Sequence, residues 1–252
     1  MSPRTGRALE PHGKNNYAIA IKWFLKRSTL LSFALADLAK IKRYKAENNG
    51  RYIEEDVFYR ILSYASSDEH ELAYLLTYET GVRPHELLSI TAQDVEPRPD
   101  GLVLVKIPDD NPETPSKKNK TGGRTIVVRE CAEQLVAHAN KTKSAPSGSP
   151  PSPRRRLFPF KNGALSVAFS RMKQRQRAES TNPETNYKGR LYDLRHTAIT
   201  NLYLKGLTDQ EVRKLVGWTP SSKMPDVYVH VNVNHIVDSL CKSAPLKART
   251  TN

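Results

Sequence analysis

Cysteine is almost absent from this sequence: Cys131 and Cys241 are the only two in 252 residues. They lie far apart without ligand-type neighbours at metal spacing, so neither a disulfide framework nor a zinc site is indicated, and both read as ordinary thiols. The seven histidines form no His-x-x-x-His pair, which leaves a metal-free chemistry as the default. No stretch approaches the roughly 18 to 20 consecutive apolar residues of a membrane-spanning helix. The segment Met1 to Lys14 mixes Pro3, Gly6, Pro11 and Gly13 with basic residues and has no apolar run of a secretory signal, so a cytoplasmic location is expected. Acidic residues are also short in supply. There are 26 Asp plus Glu against 40 Lys plus Arg, a formal net charge of +14, and a polyanionic partner follows, nucleic acid fitting best.

The chain is long enough for one substantial core and a smaller appendage. Tyr17 to Leu38 reads as helix, with Ile19, Trp23, Phe24, Leu31 and Leu35 at near-helical spacing and a possible break at Ser28 and Thr29. Lys40 to Arg51 reads as a linker whose charges, Lys42 and Arg43 among them, face DNA. The main domain starts near Tyr52. Ile53 to Tyr64 and Asp68 to Glu79 are amphipathic, the second closed by Gly81. Pro84 suits the first turn of a helix over His85 to Ile90, with Arg83 at its entrance, where backbone amides favour an anion.

Leu102 to Ile107 and Thr125 to Val128 are β-branched and apolar, and predict a hairpin whose long tip carries Lys117, Lys118 and Lys120. Glu130 to Ala139 returns to helix. Lys143 to Arg156 is a proline- and serine-rich surface loop that ends in Arg154 to Arg156. Leu165 to Arg177 is a basic helix with Arg171, Lys173, Arg175 and Arg177; it is either a solvated face or a sequence-independent phosphate contact. Leu191 to Lys205 is amphipathic, with Leu191, Leu194, Ala198 and Leu202 on one stripe and Arg195 beside it. Thr208 and Glu211 make a capping box for a helix through Val216, closed by Gly217. Beyond Pro225 a last helical segment carries Tyr228, and Val237 to Leu240 ends the apolar pattern.

Three separated segments carry more than a fold. They are Thr80-Gly81-Val82-Arg83-Pro84-His85-Glu86-Leu87-Leu88, then Asn119-Lys120-Thr121-Gly122-Gly123-Arg124-Thr125. The last runs from Leu191-Tyr192-Asp193-Leu194-Arg195-His196 through Gly217-Trp218 to Ser222-Lys223-Met224-Pro225-Asp226-Val227-Tyr228-Val229-His230. Over about residues 52 to 240 the chain resembles the catalytic domain of tyrosine recombinases of the phage-integrase type. Ser-Lys-Met-Pro before the tyrosine resembles the archaeal branch.

The resemblance implies a mainly α catalytic domain with a small antiparallel sheet over residues 51–252. Residues 1–50 would be a truncated helical, core-binding-like segment ahead of it. It implies site-specific DNA recombination, in element integration, excision or chromosome dimer resolution and without a nucleotide cofactor, through a covalent 3′-phosphotyrosyl intermediate on Tyr228. Arg83 and Arg195 would clamp the phosphate, because planar guanidinium groups match its oxygens bidentately. Lys120 would protonate the leaving 5′ oxygen, although Lys117 and Lys118 lie close in the sequence. Trp218 would donate its indole N–H to the phosphate, and Glu86 would orient Arg83. The family's usual histidine, three residues before the second arginine, is Tyr192 here, and a phenol cannot accept a proton near neutral pH as imidazole does. His196 reads as a supporting, hydrogen-bonded neighbour. The implied partners are double-stranded DNA and a homotetramer of this chain on synapsed duplexes, with contacts from the tail beyond Asn232. The replacement at Tyr192 and the short N-terminal segment keep open a DNA-binding protein that has lost catalysis. Type IB topoisomerase-like cleavage is a third reading.

Overall fold

A computed structural model describes residues 8, 10–27, 51–109, 123–144, 156–161, 163–181 and 186–229. The chain divides into two compact units, Met1–Asn49 and Gly50–Asn252. In the first unit, helix α1 spans Pro11–Arg27. It starts earlier than apolar spacing predicted because Pro11 is well suited to a first helical turn. Ile19, Trp23 and Phe24, which set the near-helical spacing, are exposed, and the Arg27 guanidinium lies 4.3 Å from the Trp23 ring centroid. The linker around Lys42 and Arg43 lies outside the described residues.

In the second unit the order is α2 (Glu55–Leu62), α3 (Asp68–Thr80), α4 (Pro84–Leu87), a 3-10 turn (Ala92–Asp94), β1 (Val95–Pro97), β2 (Val103–Ile107) and β3 (Arg124–Val128). Then come α5 (Ala132–Ser144), α6 (Ala164–Glu179), α7 (Tyr192–Leu204), α8 (Asp209–Val216) and α9 (Asp226–Val229). A mainly helical domain with a small antiparallel sheet is what the structure contains. The strands lie in the order β1-β2-β3 with Val105 opposite both Val95 and Ile126. Alternation places Val103, Val105, Ile107, Ile126 and Val128 on the buried face. The hairpin appears at the positions expected. Its partner β1 was not anticipated, since three residues are too short to show a period.

Local chemistry sets the helix ends. The Ser67 hydroxyl accepts from the His70 amide ahead of three acidic residues in the first turn of α3, where the helix dipole favours negative charge. Thr208 and Glu211 form the reciprocal cap of α8. Glu79, on α3, accepts from the amides of Arg129, Glu130 and Cys131, satisfying donors ahead of α5. α4 is shorter than predicted, stopping at Leu87. α5 runs longer, to Ser144, and takes the start of the expected loop into the helix.

One large cluster, from Ile53 and Phe58 through the sheet to Leu191 and Leu194, makes the core. A smaller one joins Ile199, Val212, Val216 and Tyr228, with Leu202, Tyr203, Leu207, Trp218 and Met224 packed against it. α7 separates them. It is not amphipathic as its stripe suggested: every residue from Asp193 to Thr200 is buried. Its polar side chains are therefore inside, and each needs a partner.

Candidate active site

α3 and α8 end on glycines in the left-handed conformation, Gly81 at φ 67° and Gly217 at φ 68°. A helix end leaves its last carbonyls without partners in the helix and carries partial negative charge. At α8 these carbonyls collect three arginines from three distant segments. Arg124 Nε donates to the Leu215 oxygen at 2.8 Å, Arg195 Nη2 to Val216 at 2.8 Å and Arg83 Nη2 to Gly217 at 3.2 Å. Arg195 Nη1 also donates to the Gly81 oxygen, so one guanidinium ties the ends of α3 and α8 together. A Cβ at position 217 would lie 2.8 Å from Arg124 Nη1, so glycine is needed there for space as well as for its positive φ.

Glu86 is the counter-charge. It is 1% exposed and accepts from the Arg83 amide (2.9 Å), Arg83 Nη1 (2.7 Å), Arg124 Nη1 (2.9 Å) and Arg124 Nη2 (2.8 Å). Burial alone would raise its pKa, but the hydrogen bonds and charges of Arg124 and Arg83 outweigh this and hold it at about 2. Arg195, also 1% exposed, is lowered to about 10 by burial first and by the charge of Arg83 second, and stays cationic at neutral pH. His85 lies in the same field: burial lowers its pKa and the three arginines reinforce this, with Glu86 opposing. Three guanidinium groups against one carboxylate leave an excess of positive charge, the electrostatic requirement for an anion site.

Next to this cradle, α9 carries Tyr228, 5% exposed, with its ring centroid 5.7 Å from Trp218 and 6.3 Å from Tyr203. Tyr228 Oη and His196 Nδ1 are 2.5 Å apart and share a hydrogen bond. Burial raises the phenol's pKa despite the opposing charge of Arg195, so the hydroxyl keeps its proton at neutral pH. Burial likewise lowers the pKa of His196, which is 8% exposed, and favours its neutral ring. Tyr192 stands on the rim, 45% exposed, its ring at 71° to that of His196 and 5.4 Å away.

Of the residues singled out from the sequence, the structure gathers Arg83, Glu86, Arg195, Trp218, His196 and Tyr228 around the end of α8, with Tyr192 at the edge. Lys120, Lys117 and Lys118 lie outside the described residues. On α6, Arg171, Arg175 and Arg177 are exposed, but Lys173 is not part of an outward face. Its ammonium group donates to the Gly189 oxygen and lies 5.6 Å and 5.9 Å from the rings of Phe169 and Tyr187, because its stem packs against the core. Arg124 was not singled out, although it stands four residues after Lys120 inside a quoted motif. Nor was His85, beside Arg83. Among the described residues no group of three or more His, Cys, Asp or Glu could hold a metal ion. No described helix is long and apolar enough to cross a membrane.

The sequence profile described as "Phage integrase family" matches residues 51–235. No curated protein sequence matches the chain. Solved structures do. The post-cleavage complex of XerH site-specific recombinase with a palindromic difH substrate aligns at TM-score 0.61 and 15% identity, over 93% of this chain and 68% of that one. The Tn1549 transposon integrase in complex with circular intermediate DNA aligns at 0.56 and 16%, over 96% and 89%. XerA recombinase aligns at 0.53 and 16%, over 98% and 86%. At these identities the likeness is one of fold.

Proposed function

The chain belongs to the phage integrase family, and from that premise we propose that it is a site-specific DNA recombinase whose nucleophile is Tyr228. The observation that carries the assignment of residues is the collection of Arg83, Arg124 and Arg195 on the end of α8, opposite a single carboxylate and beside a buried tyrosine. Attack on a DNA phosphodiester spreads negative charge over the non-bridging oxygens, and preorganised guanidinium donors lower the barrier by binding that charge as it develops. Each guanidinium has five N–H groups, and the bonds to Glu86 and the backbone carbonyls use only part of this set. Arg83 and Arg195 supply the remaining donors to the phosphate, and Glu86 fixes Arg83 in place.

The Tyr228 oxygen attacks phosphorus, the bond to the 5′ oxygen breaks, and Lys120 protonates that oxygen. A free 5′ hydroxyl then attacks the 3′-phosphotyrosyl linkage and releases the tyrosine. Trp218 supplies packing for the tyrosine ring and an indole donor for the phosphate. Exposed Arg171, Arg175 and Arg177 contribute contacts to the duplex backbone, which position the DNA without reading its sequence. Double-stranded DNA is the partner, and exchange between two duplexes calls for a homotetramer. The Ser-Lys-Met-Pro segment before Tyr228 supports affinity with the archaeal integrases. DNA binding without cleavage is favoured by Tyr192, which stands where the family carries an imidazole.

Covalent capture tests the proposal. The protein is incubated with a library of nicked duplex fragments, denatured, and assayed for DNA that stays attached through washing. Recovery of a recurrent sequence, lost in Tyr228→Phe, is expected. Measured duplex binding without any attached DNA would favour the non-cleaving reading.

A further inference from the structure

We infer that His196, rather than the residue at position 192, receives the Tyr228 proton during strand cleavage, so that proton acceptance has moved one helical turn along α7. The inference rests on the recombinase reading above. Residues 192 and 196 are four apart on one helix and so share a face. At the first, the side chain is a half-exposed phenol with no capacity to accept a proton near neutral pH. At the second, an imidazole nitrogen lies 2.5 Å from the nucleophilic oxygen itself. No other hydrogen bond of the phenol oxygen is found among the described residues.

The charged and titratable groups around this imidazole are distinct in effect. Asp193 favours its protonation, whereas Arg195 and Arg190 oppose it, and burial opposes it most. Asp193 is itself engaged by the Tyr187 hydroxyl at 2.8 Å and the Arg190 amide at 2.7 Å. Tyr192 meets the ring on one side and Tyr228 on another. The neutral ring protonated at Nε2 accepts the phenol's hydrogen at Nδ1. As the Oη–P bond forms, the proton passes to Nδ1 and the P–O5′ bond breaks, its electron pair leaving on the 5′ oxygen. In rejoining, the 5′ hydroxyl gives its proton to the Lys120 amine as the P–O5′ bond forms, the P–Oη bond breaks, and the imidazolium returns the proton to the phenolate. Charge and protons balance without a further reagent.

The experiment uses the DNA recovered by covalent capture, with sulfur replacing the bridging 5′ oxygen at the mapped bond, because a thiolate leaves without needing a proton. Rates of adduct formation at saturating DNA are compared for wild type and His196→Asn, whose amide oxygen preserves a hydrogen-bond acceptor. The expected result is a loss of about a hundredfold or more in the variant, on the oxygen and the sulfur substrate alike. The wild-type rate should fall on the acid side as His196 protonates, a limb the variant lacks. Full recovery of His196→Asn on the sulfur substrate would assign the imidazole to the leaving group and overturn the inference. Unchanged rates in the variant would do the same. Should His196→Asn fail to fold by thermal melting, the wild-type profile decides alone: no dependence on pH where a histidine titrates would contradict the inference. Absence of any wild-type adduct on bound DNA would overturn the recombinase reading, and this inference with it.

Discussion

The two halves of the candidate site are held by different physics. On the arginine side, Glu86 alone makes four hydrogen bonds, and three helix-end carbonyls take three guanidinium groups. On the tyrosine side, a four-residue helix carries Tyr228 into a small apolar cluster, and the bond to His196 is the polar contact that fixes its hydroxyl. A charge cradle must be in place before the reaction, because reorganising dipoles during attack raises the barrier. A nucleophile that starts buried and protonated must instead reach the phosphate and be deprotonated. The contrast suggests a fixed receptor for the phosphate and a comparatively loose carrier for the attacking group.

The largest effect should come from the loose side. Tyr228→Phe is expected to remove covalent adduct entirely while leaving DNA affinity within about twofold, because the lost hydroxyl makes one internal bond of modest net worth; a filter-binding titration beside a denaturing gel checks both. On the fixed side, Arg83→Lys should slow cleavage by about 10² to 10³ as a bidentate donor becomes a point charge. Single-turnover kinetics measure it, and equal rates would remove Arg83 from the clamp.

Glu86→Gln breaks the comparison most directly. Removing the counter-charge of two partly buried guanidinium groups should cost about 3 to 5 kcal/mol. For a unit of this size that lowers Tm by roughly 10 °C, and a melt within a degree of wild type would show the cradle to be less rigid than described. The same carboxylate predicts a pH dependence. Its folded pKa lies below the unfolded value, so its contribution is complete above about pH 4.5 and is lost as pH falls towards 2. Urea unfolding across that range should show a slope that is shallower in Glu86→Gln. The smallest effect belongs to the rim. Tyr192→Phe removes one exposed hydroxyl and should change cleavage by less than about tenfold.

Much of this arrangement could be read from the sequence where local rules decide it. The capping box at Thr208, the glycine ends at Gly81 and Gly217, and the hairpin strands follow from turn and cap chemistry that acts over four or five residues. α7 escaped that logic. Its apolar stripe signalled an amphipathic helix, yet its polar side chains are buried because Arg195 and Thr197 find partners on segments far away in the chain, while Asp193 is satisfied by Tyr187 and Arg190 just ahead of the helix. Arg124 was invisible for the same reason. Nothing near it in sequence announces that Glu86 and Leu215 will meet its guanidinium group, whereas Arg83 and Glu86 stand three residues apart and announce each other. The pairing of His196 with Tyr228 spans 32 positions and depends on how α9 folds back, which no local pattern encodes.

Whether a buried tyrosine beside a cationic cradle is the attacking group can be asked of the covalent product directly. The captured complex is digested with protease and nuclease, and the peptide that retains a nucleotide is sequenced by mass spectrometry. A 3′-phosphonucleotide on the peptide containing Tyr228, with fragment ions placing it on that side chain, is the predicted result. A nucleotide on another residue, or one joined through its 5′ phosphate, would contradict the account.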